Sequence, residues 1–203
     1  HEYCHKKSPR KVLDHDFLIK ELGSVAPYGV YDVDKNIGFV NLGLSHDTAE
    51  FAVNSIMQWW LHIGNETYPH AKRIYINCDG GGSNGSRLHL WKAQIAKFAE
   101  ATGLEVHVSH FPPGTSKWNK IEHRLFCYIS KTWAGQPLVD IETVIDLIGS
   151  TTTKQGLKVK CVLDTNDYPT GIKVSNDDFS RIDMERIGPF HDWNYIIRGF
   201  KKP

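Results

Sequence analysis

The stretch that decides the fold runs from Tyr28 to Leu44, YGVYDVDKNIGFVNLGL. Two β-rich runs, Tyr28 to Val33 and Phe39 to Leu44, flank Asp34, Lys35, Asn36, Ile37 and Gly38, which is the turn chemistry of a β-hairpin. Downstream, Asp47 and Glu50 are spaced as a helix N-cap and its third residue, and Ala49, Ala52, Val53, Ile56, Trp60 and Ile63 recur at helical spacing up to Gly64. Arg73 to Cys78 then predicts a strand that stops at Asp79. The turn Gly80, Gly81, Gly82, Ser83, Asn84, Gly85 leads into a helix that buries Leu88, Trp91, Ile95, Phe98 and Ala99 and closes at Gly103.

Leu104 to His110 alternates apolar and polar residues as a half-buried strand, and Pro112, Pro113 and Gly114 end it. The next helix, capped by Thr115 or Ser116, carries the stripe Ile121, Leu125 and Ile129 with Phe126 and Trp133 beside it. A helix over Val139 to Ile148 and a strand around Lys158 to Leu163 follow, and the last forty residues are less regular. A hairpin before the first crossover argues against an all-parallel doubly wound sheet. The order matches an α/β, ribonuclease-H-like mixed sheet flanked by helices, except that two strands rather than three precede the first helix. The first strand is therefore expected upstream. One domain over 1–203 is expected, with a less regular extension from about 164.

Composition narrows the class. Lysines and arginines number 24 against 23 aspartates and glutamates, so bulk charge gives no argument for nucleic-acid binding. No apolar run reaches the roughly 18 residues of a membrane span, and the expected location is cytoplasmic. The four cysteines, Cys4, Cys78, Cys127 and Cys161, show no paired spacing and read as free thiols; His1, Cys4 and His5 are set aside as a metal site. Local basic character occurs at Lys6, Lys7, Arg10 and Lys11, and again from Lys117 to Arg124.

Asp79 ends an apolar strand, where α/β sheets present ligand-binding groups, and the glycines after it let backbone and substrate approach closely. Taken alone it also reads as a turn aspartate satisfied by neighbouring amides. Glu122 lies at the start of its helix, one position off the buried stripe. Two such carboxylates can hold Mg²⁺ or Mn²⁺ through hard oxygen ligands, and a metal pair can serve phosphoryl transfer. Around Glu122, Lys117, Asn119, Lys120, His123 and Arg124 with Trp118 supply phosphate-gripping and base-stacking groups, although a solvated helix face with Trp118 packed inward reads equally well. Ser83 and Asn84 of the Gly-rich turn join the DNA-contacting set.

The run His110 to Phe126, HFPPGTSKWNKIEHRLF, resembles the signature of the ISAzo-type, or Rhodopirellula-type, insertion-sequence transposases and their DDE domain. The resemblance extends over Pro27 to Val33, Asp47 to Val53, Asp79 to Gly85, Gly171 to Ser175 and Phe190 to Ile196. It implies metal-dependent DNA strand cleavage and strand transfer by an Asp, Asp, Glu triad, with transposon-end and target DNA as partners and with assembly of several copies on DNA allowed. Asp79 matches the second aspartate and Glu122 the glutamate. The first aspartate of the family precedes the segment that His1 to Asp16 resembles, so the chain is expected to begin after it and to be inert by itself. Asp32 is the only substitute within the chain, and a structural role is expected for it. The competing readings are a structure-specific nuclease on the same fold and a catalytically incomplete DNA-binding remnant.

Overall fold

The structure, a computed structural model, describes residues 18–19, 23–112, 114–136 and 140–202. The readings on Lys6 to Lys11, on His1, Cys4 and His5, on Pro113 and on Val139 fall outside the described residues. Along the chain come β1 (Leu18–Ile19), β2 (Gly23–Ser24), β3 (Ala26–Asp32), β4 (Ile37–Gly43), α1 (Ala49–Trp59), α2 (Asn65–Thr67), β5 (Arg73–Cys78), α3 (His89–Thr102), β6 (Glu105–His110), α4 (Cys127–Trp133), α5 (Ile141–Gly149), β7 (Lys158–Asp164), α6 (Asn176–Ser180), β8 (Ile182–Arg186) and β9 (Asn194–Phe200). The result is a mixed α/β protein whose two larger sheets each combine parallel and antiparallel strands: β3-β4-β7 and β5-β6-β9-β8. The chain divides into two compact units. One holds the residues up to Ser45 with Lys120–Asn166, the other His46–Asn119 with the residues from Asp167 onward.

In the first unit the hairpin forms as its turn chemistry dictates. β3 and β4 pair antiparallel from Ala26↔Gly43 to Asp32↔Ile37, and Asn36 takes the left-handed conformation at φ 56°. Asp32 is buried, and its Oδ1 accepts from the Asp34 and Lys35 amides at 3.0 Å each, which pins the turn. That is the structural role expected of it. β7 adds in parallel to β4, leaving β4 buried on both faces. Val40 and Leu42 pack with Leu125 and Ile129 and with Val144 and Ile148 of α5 into one core, each fully buried side chain contributing about 1.5–3 kcal/mol.

Two strand glycines set how closely the helix bearing Glu122 lies on this sheet. A Cβ at Gly29 would come within 2.6 Å of the Phe126 ring and 3.0 Å of Ile121 Cδ1, and one at Gly38 would overlap Leu125 Cδ1. Only glycine at these positions lets Ile121, Leu125 and Phe126 rest against backbone.

In the second unit β5 and β6 run parallel, while β9 pairs antiparallel with both β6 and β8. α3 buries Trp91, Ile95, Phe98 and Ala99 as the spacing predicts and ends at Gly103 with φ 71°. Leu88 departs from expectation: it precedes the first turn of α3 and is exposed, so it stands outside the helical stripe. The N-cap of α1 is Thr48, one residue past Asp47, its hydroxyl accepting from the Phe51 amide at 3.3 Å. Gly64 does not end that helix, because a widened turn over Trp60–Gly64 carries it into α2. The C-terminal residues, weakly periodic in sequence, supply two ordered strands; Tyr195 and Ile197 of β9 are buried while Arg198 between them and the end is exposed.

Candidate active site

Asp79 follows the last residue of β5, and its side chain is exposed. Its Oδ1 accepts from Asn84 Nδ2 at 2.8 Å, and its Oδ2 has no hydrogen-bond partner among the described residues. Asn84 closes a short 3₁₀ turn, Gly82–Asn84, that begins with Gly82 at φ 58°. No heavy atom lies within 4 Å of a Cβ placed on Gly81 or Gly82, so the surface beside Asp79 is bare main chain facing open space. Ser83 is buried within the turn rather than presented on it.

Behind Asp79 stands a buried polar relay that the sequence reading did not single out. Trp91 Nε1–H donates to the Tyr195 hydroxyl at 2.9 Å, and that hydroxyl lies 2.7 Å from His110 Nε2. His110 Nδ1 faces the Asp79 carbonyl oxygen at 3.1 Å and Cys78 Sγ at 3.3 Å. Burial lowers the His110 pKa and pushes the Cys78 thiol up to about 12. Lys92, 6% exposed, holds its ammonium 5.1 Å over the Tyr195 ring, and burial lowers its pKa as well. A signal was present in sequence: Val106, Val108 and His110 share one parity on β6, so the face that buries the two valines also buries the histidine.

Glu122 opens a widened turn, Glu122–Phe126, in which the Cys127 amide reaches back five residues to the Glu122 carbonyl. Such single π-turns inside helices recur at functional sites. The Glu122 carboxylate is exposed and makes no hydrogen bond or ion pair to any described residue. Ile121 is half-buried and Leu125 and Ile129 are buried, so Glu122 stands beside the stripe where its spacing placed it. Thr115 does not cap this helix; its hydroxyl donates to the Pro112 carbonyl at 2.6 Å, and a separate turn, Ser116–Trp118, intervenes.

The basic groups around it are presented to solvent. Lys117, Lys120, His123 and Arg124 are exposed and Asn119 half-buried. Trp118 is 56% exposed, which removes the reading in which it packs inward. Among the described residues no three or more His, Cys, Asp or Glu side chains gather as a metal-holding group. The chemistry of the two candidate donors nevertheless suits a hard divalent cation, since Asp79 offers one uncommitted carboxylate oxygen and Glu122 two. Among the described residues no helix is long and apolar enough to cross a membrane, and Cys78, Cys127 and Cys161 are free thiols.

A family model described as the Rhodopirellula transposase DDE domain matches residues 1–199. No curated protein and no solved structure matches the chain.

Proposed function

The chain belongs to the family of Rhodopirellula transposase DDE domains, and from that premise we propose that it is the catalytic core of an insertion-sequence transposase with a ribonuclease-H-like arrangement. Hairpin, helix, strand, helix, parallel strand and the helix bearing Glu122 follow one another in the order of that arrangement from its second strand onward, with the described strands in two larger sheets rather than the one expected. In this reading Asp79 and Glu122 are the second and third carboxylates of the triad and hold Mg²⁺ or Mn²⁺. The metal supplies the activation of an attacking oxygen and the stabilisation of a leaving one in DNA strand cleavage and strand transfer.

The observation that carries the reading is that the two residues matching the family's carboxylates are both exposed and both keep oxygens uncommitted, although each stands beside well-packed structure. A carboxylate serving only its own turn would accept from neighbouring amides, as Asp32 Oδ1 does from Asp34 and Lys35. The chain's own residues bind and orient. Asn84 fixes one Asp79 oxygen and leaves the other uncommitted, while Gly81 and Gly82 leave room for a sugar-phosphate backbone. Lys117, Asn119, Lys120, His123 and Arg124 contact phosphates, and Trp118 offers a ring face for stacking. Ser83, being buried, shapes the turn without reaching DNA.

Fe²⁺ substituted for Mg²⁺, with hydrogen peroxide and ascorbate supplied, tests metal binding at each carboxylate, because hydroxyl radicals formed as bound iron reduces peroxide cut the nearby main chain. The expected result is cutting around Asp79 and around Glu122, lost around whichever of them is changed to Ala. Absence of cutting around either residue would refute its role as a metal ligand.

A further inference from the structure

Donor and acceptor counting in the relay behind Asp79 leads to one tautomer. Trp91 Nε1 is a donor only, so the Tyr195 hydroxyl accepts from it and keeps its own proton to give. The atom in line for that proton is His110 Nε2 at 2.7 Å. If Nε2 accepts, the imidazole proton sits on Nδ1, where the Asp79 carbonyl oxygen waits at 3.1 Å. In the opposite tautomer only the weak S–H donor of Cys78, 3.3 Å away, could reach the Nδ1 lone pair, while the Asp79 carbonyl would face an acceptor and the Tyr195 hydroxyl proton would lose its acceptor at Nε2, at the cost of unmade hydrogen bonds.

We propose that His110, held as its Nδ1–H tautomer by Tyr195, is a positioning residue that fixes the main chain of Asp79 and thereby aims its carboxylate. The main-chain ladder supports the arrangement on both sides. The His110 amide donates to the Trp193 carbonyl at 2.9 Å, tying the end of β6 to the residue before β9, and the Phe111 amide donates to the Cys78 carbonyl at 2.8 Å, so β5 is held to the chain following β6 up to the residue before Asp79. At Asp79 the ladder stops, and the His110 side chain takes over the role of the missing amide. Rigid Trp91 and Tyr195 rings, buried to 0% and 1% exposure, prevent the imidazole from rotating away. Beyond that point the chain enters the Gly-rich turn, and the Asn84 hydrogen bond is the only other tie on Asp79 among the described residues. Sequence-close tethers on the carboxylate and a sequence-distant tether on the carbonyl together fix both ends of the residue.

The proposal rests on Asp79 as a metal ligand, and its test separates the two claims. Nitrogen-15 spectra of the folded chain report the His110 tautomer directly, and the Asp79 carbonyl carbon shift reports the hydrogen bond without any metal. The expected spectrum has the proton on Nδ1, and Tyr195→Phe should release it into a mixture containing the Nε2–H form. His110→Asn places an amide N–H where Nδ1 was, whereas His110→Gln and His110→Ala do not. The Asp79 carbonyl shift should therefore survive in the Asn variant and move upfield in the other two, each variant being checked for folding by circular dichroism. With Mn²⁺ alone as probe, the concentration that broadens the Asp79 amide should rise about tenfold in the Gln and Ala variants and stay near the parent value in Asn. A proton on Nε2 in the parent, or an Asp79 carbonyl shift unchanged in both Gln and Ala variants, overturns the positioning role. Absence of Mn²⁺ broadening at Asp79 in the parent would instead overturn the metal reading, while the tautomer and carbonyl shift still decide the role of His110.

Discussion

Asn84 Nδ2 donates to Asp79 Oδ1 at 2.8 Å across a turn whose other members are largely glycine. The bond commits one oxygen and leaves its partner free, so Asn84 selects which face of the carboxylate meets a cation. Asn84→Ala should reduce Mn²⁺ affinity about tenfold, the scale on which groups that orient ligands act. Because Asp79 is exposed, the same change should move unfolding stability by no more than about 0.5 kcal/mol. Titration calorimetry paired with urea unfolding checks both, and equal Mn²⁺ affinity in the variant contradicts the orienting role.

Gly81 is extended at φ −114°, and a Cβ there meets nothing within 4 Å. Alanine should therefore fold without penalty. If DNA approaches the turn as closely as proposed, Gly81→Ala should weaken DNA binding or cutting while leaving the melting temperature unchanged. Unaltered binding and cutting would show that the backbone of this turn is not approached.

Gly38 behaves in the opposite way. An added methyl would collide with Leu125, itself locked in a core with Val40, Ile129 and Val144, and Gly29 stands against Phe126 likewise. Either Gly→Ala change should cost about 1–3 kcal/mol of stability by overpacking. Denaturant unfolding checks it, and a shift below about 0.5 kcal/mol would mean the helix is not seated as closely as described.

The Cys78 and Cys161 thiols are both pushed up to about 12 by burial, from an ordinary value near 9.0. A raised thiol pKa means fewer thiolates at any pH below it, about a thousandfold fewer at pH 8. Iodoacetamide at pH 8 should accordingly leave the buried Cys78 unmodified and label the half-buried Cys161 slowly in the folded protein, over times that alkylate both fully in urea. Rapid labelling of Cys78 without denaturant would contradict its burial.

Lys120→Ala and Arg124→Ala should weaken DNA binding across sequences and flatten its salt dependence by about one unit of slope each. Trp118→Ala should weaken binding without changing the slope, since stacking releases no counterions. Binding isotherms at several salt concentrations separate the two behaviours. A Trp118→Ala effect confined to the slope would contradict stacking.

Local periodicity made much of this architecture legible. The hairpin, the strands at Arg73–Cys78 and Glu105–His110, and the Leu125 and Ile129 stripe were readable because each rests on alternation, spacing or turn chemistry within a few residues. β8 and β9 were not, because β9 joins the sheet by pairing with β6, nearly ninety residues away in sequence, and β8 joins it only through β9. The helix boundaries at Thr48 and past Gly64 shifted because capping and the widened turn depend on backbone geometry that composition does not encode. At the candidate site, the exposure of Asp79 and Glu122 followed from strand-end and stripe-edge positions. The relay through Tyr195 did not, since it forms only when β9 returns to the consecutive elements α3 and β6, 104 residues from Trp91 and 85 from His110.

The proposed function turns on Glu122 acting through a metal, and the most direct measurement is Mg²⁺-dependent cleavage of DNA carrying the element's ends by the transposase as its element encodes it. Glu122→Gln keeps size and hydrogen-bonding capacity but removes the charge a divalent ion requires. The account predicts that cutting falls by at least about a thousandfold while DNA binding stays within a few-fold of the parent. Undiminished cutting by the Glu122→Gln protein would contradict it.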